Sequence, residues 1–159
     1  MPCGGPTDEE RRAVHAGALS MVELCRRHDM RLDLGGMRYL AHWVTPVGEG
    51  TRRFDTRFFL AAAPTGPDAA HDESETVESR WIAPGMALDE HGGGAIALMP
   101  PTIDTLRFLA PHDSVDAVLA AVDAADLPPR IEPRLRRRAD GRVVGVALPG
   151  DDDFEALDV

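Results

Sequence analysis

The chain has 159 residues, 43% hydrophobic and 28% charged, which is enough for one domain with an apolar core. Its formal net charge of −10 repels phosphates overall and argues against nucleic-acid binding. All 17 basic residues are Arg, so P-loop and Schiff-base chemistry, which need Lys, are excluded.

Two short helices are predicted over residues 8–28, after a disordered segment over residues 1–7. Each begins with a Ser or Thr three residues before a Glu, the spacing at which the two side chains cap a helix start. The two pairs are Thr7 with Glu10 and Ser20 with Glu23. Gly17 is expected to end the first helix, and the second is expected to run to about His28.

Residues 37–125 alternate predicted strands with predicted helices. The strand segments are rich in aromatic and β-branched residues, and the helical segments repeat apolar residues at helical spacing. Strands are predicted over Met37–Thr45, over residues 54–63 and over residues 76–83. Helices are predicted to begin at Pro84, after Thr102 as N-cap, and after Ser114 or Asp113 as N-cap.

A C-terminal hairpin is predicted over residues 130–148, followed by an acidic tail over residues 151–159. The pair Asp140-Gly141 lies between two extended segments and is a strong hairpin signal. Its first strand contains "RLRRR", residues 134–138. These arginines either protect an edge strand from pairing or bind phosphate. The "DDD" at the start of the tail is predicted to be solvated.

Two further motifs have an ordinary interpretation beside a functional one. "HGGG", residues 91–94, resembles a hydrolase oxyanion loop, but no Ser lies in the G-x-S-x-G context that this chemistry needs, so a glycine loop is favoured. A carboxylate cluster is either a solvated loop or a Mg²⁺ site. Its members are Asp72, Glu73, Glu75 and Glu78.

The segment "RRFDTRFF" combines an apolar face with a charged face. Side chains alternate along a strand, so Arg53, Asp55 and Arg57 point one way and the neighbouring Phe54 and Phe58 point the other. The charged face is either a surface ladder or an anion clamp in which Asp55 orients two guanidinium groups. Arg suits such a clamp because its planar fork donates two hydrogen bonds at once.

Cellular location is predicted from missing signals. No apolar run approaches the roughly 20 residues of a membrane span, and no basic segment followed by an apolar one opens the chain. We expect a cytoplasmic protein without membrane partners. Cys3 and Cys25 do not match a zinc spacing with the nearby histidines and are predicted to be ordinary thiols.

Consecutive blocks of the sequence resemble the Nudix hydrolases. They are "AHWVTP", "RRFDTRFFLAA", "ETVESRWIAPGMAL", "PPTIDTLRFLA" and "IEPRLRRRADGRVVGVALPGD", which lie between Glu10 and Asp153. The order of these blocks is similar to the order found in the CoA- and acyl-CoA-diphosphatase-like branch of that family. The resemblance implies an α/β fold, an α/β/α sandwich around a mixed sheet. It also implies hydrolysis of a nucleoside-diphosphate-linked small molecule with Mg²⁺ or Mn²⁺.

The catalytic Nudix box, which supplies the metal-binding glutamates, is absent from this sequence. The chain therefore resembles an N-terminally incomplete Nudix domain. We expect it to be inactive alone, to bind no metal tightly and to self-associate. The resemblance assigns substrate binding to Arg53, Asp55 and Arg57 and makes Glu75 a candidate metal ligand. The alternative is a non-catalytic domain that binds anions, nucleotides or proteins.

Overall fold

The structure is a computed structural model that describes residues 5–63 and 80–157. It divides into two compact units, Met1–Gly36 and Met37–Val159. Within the described ranges, every helix is too short or too polar to cross a membrane.

The first unit is a pair of short helices, α1 (Asp8–His15) and α2 (Met21–Arg27). The predicted capping box is confirmed: the Glu10 backbone N–H donates to Thr7 Oγ1 at 3.2 Å, and the Thr7 N–H donates to Glu10 Oε2 at 3.0 Å. Ser20 Oγ caps α2 by accepting from the Glu23 N–H at 3.1 Å. Both helices therefore begin where local side-chain hydrogen bonds replace missing backbone partners.

A carboxylate–imidazole contact joins the two ends of this unit. His28 Nε2 lies 2.8 Å from Glu10 Oε2, and both side chains are mostly buried. The Thr7 backbone N–H and the His28 ring together hold the pKa of Glu10 below its usual value. One glutamate thus caps α1 and contacts the residue that ends α2.

The second unit is built on a three-stranded mixed sheet with the order β2-β1-β3. The strands are β1 (Arg38–Val44), β2 (Asp55–Leu60) and β3 (Arg130–Ile131). β2 pairs antiparallel with β1, and β3 pairs parallel with β1. The central strand contributes three buried core residues, Ala41, Trp43 and Val44. The predicted α/β class and mixed sheet are confirmed.

Three helices follow the second strand. They are α3 (Pro84–Gly92), α4 (Pro100–Leu109) and α5 (Val115–Ala124). The starts predicted at Pro84 and after Ser114 are confirmed. The prediction of Thr102 as the N-cap of α4 is wrong, because Met99 is the N-cap. Two prolines open α4, and their fixed φ suits a first helical turn, which places Thr102 inside the helix.

The third predicted strand is not observed where the structure can test it. Residues 80–83 precede α3 without strand pairing, and the earlier part of the prediction lies outside the described residues. The "HGGG" motif ends α3 and forms the turn after it. Gly94 has a φ of 76°, a left-handed conformation that glycine adopts without strain.

The hairpin turn predicted at Asp140-Gly141 joins β4 (Arg134–Arg137) to β5 (Val143–Ala147). Residues 130–131 of the predicted range 130–148 are not part of this hairpin, because they form β3 and pair with β1. Asp140 accepts from the Arg142 N–H at 2.9 Å, and Gly141 has a φ of 82°. These are the local features expected of a turn centred on Asp-Gly.

The C-terminal segment differs from the predicted solvated tail. It folds back on β4 through a 3₁₀ helix, Phe154–Ala156. Arg136 donates to Asp153 and to Asp151 at 2.7 Å each, and Arg134 donates to the Phe154 carbonyl at 2.7 Å. These two arginines therefore hold the segment that follows the hairpin, a role that neither sequence interpretation of "RLRRR" included.

A candidate anion site and an apolar groove on opposite faces of the sheet

The register of the sheet brings charged residues from three strands into one row. His42 on the central strand pairs with Arg57 of β2 and with Arg130 of β3. Residues directly opposite each other in a sheet project from the same face. Backbone pairing therefore sets this row, which has one arginine on each side of the histidine.

Asp55 joins two members of this row. Its Oδ1 lies 2.7 Å from His42 Nε2 and accepts from Arg57 Nη1 at 3.2 Å. The hydrogen bond with His42 is the main reason that the pKa of Asp55 lies below its usual value, and the positive charges of Arg57 and Arg130 lower it further. Asp55 is thus a carboxylate at neutral pH and holds the Arg57 side chain in one orientation.

Arg53 is held by different partners. Its Nε donates to the Thr45 carbonyl at 2.9 Å, and its Nη2 donates to the Glu132 carboxylate. Glu132 also pairs with Arg130 Nη1 at 2.6 Å. One carboxylate therefore holds two guanidinium groups, one before β2 and one in β3.

These side chains form what we call the arginine cluster. Its members are His42, Arg53, Asp55, Arg57, Arg130 and Glu132. Three arginines and two carboxylates leave a formal charge of +1 with the histidine neutral, within a chain whose net charge is −10. All three arginine side chains are 42–56% exposed. The guanidinium groups of the cluster can therefore be reached from solvent.

The predicted clamp is only partly assembled as expected. Asp55 orients Arg57, but it does not pair with Arg53, which Glu132 holds instead. Arg53 and Asp55 also lie at a strand boundary, because β2 begins at Asp55. Glu75 lies outside the described residues, as does the rest of the predicted carboxylate cluster.

Sequence reasoning missed His42, Arg130 and Glu132. His42 had a usable signal, since pairing the two predicted strands as a hairpin places it near Arg57. Arg130 and Glu132 had none, because their place depends on the parallel pairing of a two-residue strand in which Arg130 lies 88 positions after its partner His42.

The opposite face of the same strands forms an apolar groove of about 150 Å³. Its sheet wall comes from Trp43, Thr56 and Phe58, which alternate with the cluster residues along the strands. Phe54, the two prolines that open α4 and residues of the loops after β1 and before β4, among them Glu49 and Pro133, also line it. Trp43 is only 4% exposed, and its Nε1–H has no hydrogen-bond partner among the described residues.

A divalent metal does not fit the described residues. Nowhere in residues 5–63 and 80–157 do three His, Cys, Asp or Glu side chains come close enough to hold an ion. The carboxylates of the arginine cluster are already paired with arginines, and guanidinium groups repel a cation. The chemistry assigned below to the described residues therefore involves binding and orientation only.

Comparison with known proteins identifies the family to which the chain is similar. The family described as the NUDT19 Nudix domain matches residues 6–109. Three proteins named acyl-coenzyme A diphosphatase NUDT19 are similar to this chain. The one from Homo sapiens is 32% identical over 145 residues, which is 89% of this chain and 38% of that protein.

The Gallus gallus protein is 30% identical over 112 residues, covering 68% of this chain and 30% of its own length. The Xenopus laevis protein is 26% identical over 147 residues, covering 89% of this chain and 38% of its own length. The chain thus spans 30–38% of the length of these relatives. No solved structure matches it.

Proposed function

Because the chain belongs to the NUDT19 Nudix domain family, we propose that it provides the diphosphate-binding side of a Nudix hydrolase site for CoA-type substrates. The arginine cluster is the observation that carries this proposal. It concentrates positive charge on one face of the sheet in an acidic protein. The names of the relatives support a CoA-type substrate, a small molecule that contains a diphosphate.

The cluster binds its anion through guanidinium groups that are already oriented. Asp55 holds Arg57, and Glu132 holds Arg53 and Arg130. Less side-chain entropy is then lost on binding, which improves affinity. The planar guanidinium forks donate paired hydrogen bonds to phosphate oxygens. Their number suits two adjacent phosphates better than one.

Catalysis by this chain alone is not part of the proposal. The resemblance implies a reaction that uses a divalent metal, Mg²⁺ or Mn²⁺. This sequence contains no Nudix box, and no group of His, Cys, Asp or Glu in the described residues could supply the ligands in its place. We propose that the 159-residue chain binds diphosphates without hydrolysing them. Its cytoplasmic location also stays a prediction.

The same observation favours a second candidate, a non-catalytic domain that binds anions, nucleotides or another protein. Both candidates include the arginine cluster as an anion site. They differ in whether a metal-binding Nudix box ever acts beside it. Hydrolysis by the chain combined with such a box would favour the first candidate, and continued inactivity would favour the second.

The binding proposal is tested by titrating the purified chain with ADP and with CoA by calorimetry. Replacing Arg53 or Arg57 with Ala should weaken binding by about 1.5–3 kcal/mol, the range for hydrogen bonds to charged groups. Asp55→Ala should also weaken it by freeing Arg57. Arg107→Ala, an exposed arginine on α4, is the matched control. Unchanged affinity in all three cluster variants would show that these side chains form only a charged surface ladder and do not bind the ligand.

A further inference from the structure

A second cavity, of about 210 Å³, lies between β4 and the C-terminal segment that folds back on it. Its polar lining consists of Arg130, Glu132 and Arg134, and the rest of its wall is apolar and includes Leu135 and Phe154. Apolar protein cavities of roughly 150 Å³ admit one benzene molecule. A six-carbon ring that carries one small polar group therefore matches this space.

The C-terminal segment holds the Arg134 guanidinium group in one orientation. Arg134 Nη1 donates to the backbone carbonyls of Phe154 at 2.7 Å and of Leu157 at 3.1 Å. The guanidinium carbon also lies 4.3 Å from the centroid of the Phe154 ring. A guanidinium group stacked on a ring keeps its N–H groups available, because they point outward in its own plane. Because the side chain is already ordered, less entropy is lost when a ligand binds it.

Two nitrogens of the Arg134 guanidinium group are left to bind a ligand. Among the described residues, only Nη1 of Arg134 has polar partners, and Nε and Nη2 donate to no acceptor. Nε and Nη2 form one edge of the group, which can bind a carboxylate through two parallel hydrogen bonds. Arg136, two positions later, binds the Asp153 carboxylate with the same two nitrogens, at 2.7 Å each. The Arg134 side chain is 21% exposed and lines the cavity, so a small solute can reach it.

The charges that line the cavity favour a ligand with a single negative charge. Arg130 and Arg134 are positive and Glu132 is negative, so the lining has a formal charge of +1. Both carboxylate oxygens of Glu132 are already paired, one with Arg53 and the other with Arg130. Glu155 lies 3.5 Å from Arg134 Nη1, but it is mostly exposed and solvent screens its charge. A carboxylate neutralises this lining, whereas a doubly charged phosphate would leave an excess negative charge.

We propose that this cavity binds a small aromatic carboxylate, with its ring against the apolar wall and its carboxylate on Nε and Nη2 of Arg134. A rigid ring suits the cavity because it buries apolar surface and loses little conformational freedom on binding. Arg130 and Glu132 border both this cavity and the arginine cluster, but the carboxylate is assigned to Arg134, which lies outside the cluster. The site goes beyond the proposed function, since its ligand contains no diphosphate.

Benzoate is the probe, and benzamide is its neutral counterpart of nearly the same shape. In ligand-detected NMR titrations of the whole chain, benzoate should bind about tenfold or more tightly than benzamide, the effect of hydrogen bonds to a charged group. Acetate, which keeps the carboxylate and lacks the ring, should bind about tenfold or more weakly than benzoate. The proposal is overturned if benzoate does not bind, or if either comparison compound binds as tightly as benzoate.

Two variants test the cavity itself. Arg134→Gln should lower the affinity for benzoate to that for benzamide. Arg138→Gln is the matched control, because this exposed arginine follows β4 and does not line the cavity. An equal loss in both variants would indicate general attraction between charges and would overturn the proposal. Val47→Trp fills the cavity without removing a charge and should abolish benzoate binding, which keeps the test decisive if Arg134→Gln does not fold.

A third variant separates this site from the arginine cluster. Arg57 does not line the cavity, so Arg57→Ala should leave the affinity for benzoate unchanged while it weakens ADP binding. Loss of benzoate binding in this variant would place the carboxylate on the cluster and overturn the proposal. The two proposals fail independently. Absence of ADP binding would remove the diphosphate site and would leave the benzoate result as it is.

Discussion

Arg53 donates to the Glu132 carboxylate, which lies 79 positions further along the chain. Glu132 also pairs with Arg130, so one carboxylate joins the loop before β2 to the end of β3. This contact places Arg53 beside Arg130 instead of beside Asp55. The cluster consequently has two anchoring carboxylates, each holding different arginines.

We expect Glu132→Gln to lower the free energy of unfolding by about 1 kcal/mol. The variant weakens two ion pairs, and partly exposed pairs contribute about 0.2–1 kcal/mol each. Glu155→Gln is the control, because this glutamate is 86% exposed in its pair with Arg134. Urea denaturation followed by circular dichroism measures both. A loss no larger than that of the control would show that Glu132 does not join these segments in solution.

The 159-residue chain is expected to show no Mg²⁺- or Mn²⁺-dependent hydrolysis of CoA, ADP-ribose or NADH above background. Hydrolysis requires metal, water and phosphate to be held in a near-attack geometry. The described residues contain no cluster of His, Cys, Asp or Glu side chains able to hold the ion. Fusing a segment with a relative's Nudix box should restore turnover. The same fusion with its paired glutamates changed to Gln should not.

Product formation at millimolar Mg²⁺, compared with an EDTA control, is the measurement. Turnover by the unfused chain that EDTA abolishes would contradict the prediction. Glu75 and Glu78 would then be the first residues to replace, since they belong to the carboxylate-rich segment outside the described residues.

Acid should loosen the C-terminal segment through Asp153. Arg136 holds the pKa of Asp153 below its usual value, mainly by a direct hydrogen bond. A carboxylate with a lowered folded-state pKa stabilises the protein above its unfolded-state pKa. That stability is lost as the pH falls through the folded-state pKa. We expect the free energy of unfolding to fall as the pH drops through and below the ordinary Asp pKa of about 3.9.

Asp153→Asn should make that acid-induced fall shallower, because Asn does not titrate. Asp152→Asn, a change at the exposed neighbouring carboxylate, should leave the slope as it is in the unmodified chain. Urea denaturation at a series of pH values provides the comparison. Equal slopes for all three proteins would show that the Arg136–Asp153 contact does not contribute to folding.

The isolated chain is expected to self-associate at micromolar concentration. Several large apolar side chains are exposed in the described residues, and Trp81 and Leu127 are each 85% exposed. Exposed apolar side chains that lie together in one patch commonly mark an interface. Size-exclusion chromatography with light scattering measures the mass. A monodisperse monomer that binds no hydrophobic dye would refute this prediction.

Helix starts and the hairpin turn could be predicted because their causes are local. Thr7, Ser20 and Ser114 cap helices through backbone N–H groups three residues away, and Asp140-Gly141 forms a turn within a few residues. The N-cap of α4 was missed because a proline pair at the helix start competes with a nearby Thr. In that case φ restriction, not side-chain hydrogen bonding, decides where the helix begins.

The sequence by itself determined the α/β class, the strand segment carrying Asp55 and Arg57, and the resemblance to the Nudix hydrolases. Periodicity, capping residues and block order are all readable along the chain. Tertiary structure decided which charges meet. Parallel pairing of β3 with β1 brings Arg130 beside His42. Glu132, which follows β3, then forms the ion pair with Arg53 that was predicted for Asp55. Contacts between residues far apart in sequence depend on strand register, which no local pattern in a two-residue strand specifies.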